Sequence, residues 1–218
     1  MPQFLCSVCG ADFEVPQAAL DKYSGWAPKY CRAHSPEKKA GGTRSSGGGG
    51  SRGGGSKREE NLTRAEVLAK YTRGPDFGVF TDGSASPNPG RAGWGVVWVE
   101  DGKVVAERHG HEKHSTNNRM ELTALIEAFK LLPEDAALTI FTDSRLCVDT
   151  ILKWAPSWEK KGWTKKGGDI KNLELVQELL ALYRAHPDCA LEWIAAHTGN
   201  RWNEYADSLA TSWMRDEH

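Results

Sequence analysis

Seven consecutive residues without a charge, 136–142, stop at Asp143-Ser144. An uninterrupted run of this kind marks a strand buried on both faces, and it commits the chain to a sheet covered by helices on each side. Residues 77–82 read as another strand, and 92–100 and 103–110 as two more, joined by a hairpin turn at Asp101-Gly102. Helical patterns cover 118–132, 144–153 and 172–185, the first ending before Pro133 and the last before Pro187. A final strand, 190–195, precedes a final helix, 202–214. Three strands in succession, then helix and strand in alternation, predict an α/β fold: a mixed five-stranded sheet flanked by helices.

Four carboxylates stand at telling places on this frame. Asp82 and Asp143 are expected to end strands, where ligands bind in α/β sheets. Glu121 shares a helix face with Leu125, Ala128 and Leu132, and Asp207 borders the stripe of Trp202, Ala206, Leu209 and Trp213. Each has a bland reading as a turn, cap or boundary residue, and Asp143-Ser144 can cap the helix that follows. A buried carboxylate is costly unless something positive sits against it. Four that converge call for divalent metal, and oxygen-only ligands favour Mg²⁺ or Mn²⁺ over zinc.

The rest of the chain divides by composition. Residues 1–36 are a compact, cysteine-bearing piece; 37–60 are a Gly/Ser/Arg-rich linker; 61–75 hold a short lead-in helix; 76–218 form the main domain. Thr63 to Glu66 make a capping box for the lead-in helix, with Leu62 and Val67 placed as a hydrophobic staple. Residues 1–75 hold 12 basic and 7 acidic residues and the remainder 16 and 22, so an acidic domain carries a basic appendage. The linker has six basic residues and no acidic one between Lys38 and Arg58. It is a solvated tether or an arm that lies along RNA or DNA. Cys6, Cys9, Cys31 and His34 follow C-x₂-C-x₂₁-C-x₂-H, close to a structural zinc spacing, and 36 residues hold few large apolar side chains to fold without such a staple. A metal-free appendage is the alternative. The module's role is nucleic-acid binding or protein docking. Cys147 and Cys189 are expected as reduced core thiols. No secretory segment and no apolar run near 18 residues occur, so the protein is expected in the cytoplasm, off the membrane and monomeric.

The motifs also carry a resemblance. Thr81-Asp82-Gly83-Ser84 with Asn88-Pro89-Gly90, Thr116-Asn117-Asn118-Arg119-Met120-Glu121-Leu122, Thr142-Asp143-Ser144, the stretch Trp154 to Trp163, and His197 ahead of Asp207 occur in the order of type 1 ribonuclease H. The span from residue 77 to 214 resembles that family. The resemblance implies cleavage of the RNA strand of an RNA–DNA hybrid, with Asp82, Glu121, Asp143 and Asp207 holding two Mg²⁺ (or Mn²⁺) and leaving 5′-phosphate and 3′-hydroxyl ends. His197 would assist proton transfer or product release. Asn88, Thr116, Asn117 and Asn118 match the family's minor-groove and phosphate contacts. Trp154, Trp158 and Trp163, interleaved with Lys160 and Lys161, resemble its basic protrusion, which tracks the DNA strand. For Trp158 and Trp163 the bland reading is packing of the protrusion itself. Arg145 is a departure, since the bacterial pattern often has an amide there; its longer cation could reach phosphate. A resolvase or transposase core of the same fold is the first competing reading, but it usually lacks the Asn-Asn-Arg-Met-Glu turn and the Trp/Lys protrusion. A silent hybrid-binding protein is the second, and it would be expected to lose a carboxylate.

Overall fold

The computed structural model describes residues 2–5, 12–14 and 61–215. The chain divides into two units, Met1–Ser56 and Lys57–His218. In the first, β1 (Gln3–Leu5) pairs antiparallel with β2 (Asp12–Glu14). The expected zinc ligands Cys6, Cys9, Cys31 and His34 and the linker 37–60 lie outside the described residues.

The second unit is built on a five-stranded mixed sheet of order β5-β4-β3-β6-β7. Its strands are β3 (Gly78–Ser86), β4 (Gly90–Glu100), β5 (Lys103–Ser115), β6 (Thr139–Thr142) and β7 (Ala190–Trp193). β3, β4 and β5 run antiparallel, and β6 and β7 join in parallel. One face is covered by α2 (Asn117–Leu131) and α5 (Leu173–Ala185), which bury Leu122, Leu125, Phe129, Val176 and Leu179 against Val79, Val96 and Ile140. On the other face α1 (Arg64–Lys70) and α6 (Arg201–Ala210) bury Val67, Trp202, Tyr205, Ala206 and Leu209 against Phe80, Val97 and Val99. The alternation Val79/Phe80 and Val96/Val97 divides the two cores, as the pleat requires.

Several boundaries differ from expectation. β3 does not end at Asp82. It continues to Ser86 because antiparallel pairing with β4 runs on through Ser86↔Arg91. Its parallel pairing with β6, however, stops at Thr81↔Thr142, so Asp82 does pass the end of that neighbour. The apolar run 136–142 forms a paired strand only from Thr139, while Ala136 and Leu138 are buried ahead of it. The helix after Asp143 is not continuous: α3 (Arg145–Asp149) passes through a wider π turn (Thr150–Trp154) into α4 (Ala155–Glu159). Pro156 has no N–H for the carbonyl four residues back, and the wide turn lies directly ahead of it. The last helix stops at Ala210 and is followed by a short 3₁₀ turn, Ser212–Met214. Among the described residues no helix is long and apolar enough to cross a membrane.

Candidate active site

Two glycines bring the helices to the carboxylates. A Cβ at Gly83 would stand 2.2 Å from the backbone nitrogen of Glu121, so only glycine lets α2 press onto β3 there. A Cβ at Gly95, which is paired opposite Asp82, would stand 2.4 Å from the carbonyl of Ala206. That approach sets α6, and with it Asp207, beside Asp82. The fourth carboxylate, Asp143, follows β6 by one residue. Ser144 next to it caps α3, its Oγ accepting from the Cys147 N–H at 3.4 Å.

The four form one electrostatic cluster. Asp82 is only 8 % exposed, and its carboxyl is pushed well above the usual range, by burial first and then by Asp143, Asp207 and Glu121. Asp82 shares hydrogen bonds with both Asp143 and Asp207. Burial and the nearby Asp143 raise Glu121 to about 8, against the Cys147 thiol, which donates to its Oε2 at 3.8 Å. Burial raises Asp143 as well, opposed by the Asn203 amide, whose Nδ2 donates to Oδ2 at 3.4 Å, and by the charge of His197. Among the described residues no three or more His, Cys, Asp or Glu are placed to hold one ion. The donor set itself suits a hard divalent cation. It is all oxygen, it concentrates like charge in a buried place, and no lysine or arginine is among the causes that shift these three carboxyls.

The other expected residues lie around this cluster. His197 is exposed, in a loop where it takes φ 51°, and its charge is felt at Asp143. Thr116 caps α2, and the Asn117 N–H donates to Asn88 Oδ1 at 3.3 Å, which ties the β3–β4 turn to that cap. Asn117 Oδ1 is buried without a partner. Asn118 Oδ1 accepts from Asn172 Nδ2 at 2.8 Å, so its own amide N–H₂ is turned toward Cys147 Sγ, 3.8 Å away. Leu146, Thr150, Trp154 and Trp158 line a cavity of about 200 Å³ that Asn118 and Lys165 also reach. Trp154 is 40 % exposed, while Trp158 and Trp163 are half-buried and pack on the main core. Lys160 and Lys161 are exposed. Arg145 lies over the Trp193 ring at 5.4 Å and 3.7 Å from Asp149 Oδ2.

Sequence reasoning missed four contributors. Asn203 and Cys147 each hold one carboxylate, Asn172 sets the direction of Asn118, and Trp193 Nε1 donates to the Asp143 carbonyl at 3.0 Å. None of the four is marked by a period or spacing, since α6 mixes Asn203 with Arg201, Glu204, Asp207 and Ser208. Cys147 and Cys189 are both free and buried, as expected of core thiols.

The comparisons with known proteins fall on this same unit. A family model described as RNase H matches residues 75–215. A ribonuclease H of Agrobacterium fabrum is 43% identical over 137 residues, covering 62% of this chain and 92% of its own. One of Hahella chejuensis is 40% identical over 139 residues, with 63% and 93% covered. One of Methylorubrum extorquens is 41% identical over 138 residues, 63% of this chain, and there the match spans 60% of the relative's length. Among solved structures, LC9-RNase H1, a type 1 RNase H with the type 2 active-site motif, is 28% identical at TM-score 0.54, covering 67% of this chain and 76% of its own. The PFV RNase H domain shares the fold at TM-score 0.54 and 22% identity, with 67% and 96% covered. With the family model matching well over half its length, the chain belongs to the ribonuclease H family.

Proposed function

We propose that this protein hydrolyses the RNA strand of RNA–DNA hybrids in a metal-dependent reaction that leaves 5′-phosphate and 3′-hydroxyl ends. The observation that carries the reading is the convergence of Asp82, Glu121, Asp143 and Asp207: burial first and then the neighbouring carboxylates raise Asp82 and Glu121, burial raises Asp143, and a divalent cation would relieve that cost. These four would hold two Mg²⁺, with Mn²⁺ able to substitute. The ions, when bound, neutralise charge at the scissile phosphate and lower the pKa of water. The chain's own residues do the rest. Asn203 and the Cys147 thiol keep Asp143 and Glu121 turned to the site. His197, exposed beside Asp143, takes or gives a proton at the cleaved bond or speeds departure of the product.

The hybrid is told from other duplexes at its shallow groove, where the 2′-hydroxyl both donates and accepts. Asn88, Thr116, Asn117 and Asn118 would meet that groove, with amide, hydroxyl and backbone groups that can do the same. Trp154, Trp158, Trp163, Lys160, Lys161 and Arg145 would follow the DNA strand. Cys6, Cys9, Cys31 and His34 would hold Zn²⁺ in a module that the linker tethers to the nuclease, and the protein would act as a cytoplasmic monomer. The test is cleavage of labelled hybrid, duplex DNA and duplex RNA with Mg²⁺, with Mn²⁺ and with EDTA. Hybrid alone should be cut, on its RNA strand, and EDTA should stop it. Equal cutting of duplex DNA would overturn the reading.

A further inference from the structure

The family's match starts at residue 75, yet the residues before it are built into the nuclease unit. α1 buries Val67, 1 % exposed, beneath α6. Beyond α1 the chain runs beside the loop that carries His197. Arg73 pairs with Asn200 in a parallel bridge, and the Arg201 N–H donates to the Arg73 carbonyl at 2.7 Å. Gly74, at φ +120°, lies so close to Asn200 that a Cβ would stand 2.6–2.7 Å from its carboxamide atoms. A Cβ at Gly199 would meet the Tyr71 ring at 3.5 Å and Arg73 Nη2 at 3.7 Å. Asp76 Oδ1 accepts from Trp202 Nε1 at 3.1 Å. Asn200 is not free to yield, because its Oδ1 accepts from the Asn203 N–H at 3.4 Å and caps α6.

His197 and Gly199 both take left-handed backbone, at φ 51° and 77°. Within the loop the Thr198 hydroxyl donates to the Ala195 carbonyl, and the Gly199 N–H donates to Glu204 Oε1 at 3.3 Å. The neighbouring support comes from 71–76, on the side of the loop where α6 begins.

We propose that residues 71–76 are a brace that positions the His197 loop, so that a segment lying mostly ahead of the matched span sets the rate of the step His197 serves. This rests on the role given to His197 above. When this support is removed the loop can carry its histidine an ångström off line, and such shifts are felt in turnover more than in binding.

The experiment uses the full chain. Gly74→Ala adds a Cβ against Asn200 and strains a left-handed position. It should lower kcat about tenfold, inside the roughly 10²-fold that an ångström of misplacement can cost, with KM changed less than about twofold. Amide exchange at residues 198–201 should quicken by about tenfold or more, as in local loosening. Val67→Ala weakens packing under α6 without touching the loop, so it should lower the melting temperature at least as much and leave kcat unchanged. In a His197→Ala background Gly74→Ala should cost no further turnover. An equal further loss in that background, parallel loss of kcat in Val67→Ala, or unchanged kcat and loop exchange in Gly74→Ala would each overturn the brace. Should the unmutated protein fail to cut hybrid, the functional reading falls instead, and loop exchange alone then decides the brace.

Discussion

Around Asp82, distances are set by backbone against backbone: a Cβ at Gly83 would stand 2.2 Å from Glu121 N, and one at Gly95 2.4 Å from the Ala206 carbonyl. Around Trp154 they are set by side chains: its ring centroid is 6.1 Å from that of Trp158, and Lys165 Nζ lies 5.8 Å from the Trp158 ring. The first region tolerates no added atom, whereas the second is a half-open surface over a cavity of about 200 Å³. The contrast follows from what each must do. Charge has to be concentrated within ångströms to hold a cation, which needs rigid elements. A repeating sugar–phosphate strand can be followed by side chains that adapt.

Substitutions at the two regions should therefore differ in kind. The largest effect is expected at the rigid end. Asp143→Asn or Asp82→Asn should lower turnover by about a thousandfold or more, the scale of removing a principal electrostatic group at the reacting centre, while hybrid binding persists. Near-normal Mg²⁺-dependent cleavage by either variant would break the assignment. His197→Ala should be milder, about a hundredfold in kcat, because proton transfer is one contribution among several. A loss as deep as that of Asp143→Asn would give His197 a larger part than assigned.

The rigid end should also reveal itself in stability. Asp82 has its folded pKa raised, chiefly by burial, and Glu121 is raised to about 8. In the unfolded chain such groups ionise near pH 4. Between those values the folded state binds more protons, so stability is fully present below the unfolded pKa and is lost as pH rises through the folded one. In EDTA the melting temperature should fall between about pH 4.5 and 8, and Asp82→Asn should flatten the fall and raise the value at pH 8 by a few degrees, since about 1 kcal/mol moves a domain of this size by roughly 2–4 °C. A pH-independent difference would separate the Asp82 effect from its charge.

At the adaptable rim, Trp154→Ala should raise KM about fivefold, near the lower end of the roughly 1–3 kcal/mol that a stacked base contributes, and leave kcat and stability almost alone. Trp158→Ala, packed on the core, should cost stability as well. If Trp154→Ala changed kcat more than KM, the two regions would not be separable. The smallest effect is expected from deleting residues 1–60, which keeps the 71–76 segment. Activity should persist, with weaker binding and a log–log salt slope flattened by roughly 0.7–0.9 for each phosphate that the shortened chain no longer neutralises. Equal salt slopes, with zinc content measured in both forms, would assign the module to protein docking.

Much of the fold was legible because it follows local patterns. The uncharged run before Asp143, the hairpin at Asp101-Gly102 and the capping box at Thr63 each state their structure within a few residues, and the box is present as expected. The boundaries that moved depend on partners. β3 outran Asp82 because β4 was there to pair with it, and β6 was shorter than its apolar run because β3 and β7 pair only with its end.

The same division holds at the site. Which carboxylates stand on which elements, and in what order, can be read from the chain alone, since apolar runs and helical stripes are written in neighbouring residues. Packing had to decide that Gly83 and Gly95 are the points where α2 and α6 come close, that Asn203 and Cys147 each hold a carboxylate, and that Arg73 and Gly74 lie against the His197 loop. Those contacts join residues far apart in the chain. They depend on strand register and helix approach, which are properties of packed backbones and leave no period or spacing in the sequence.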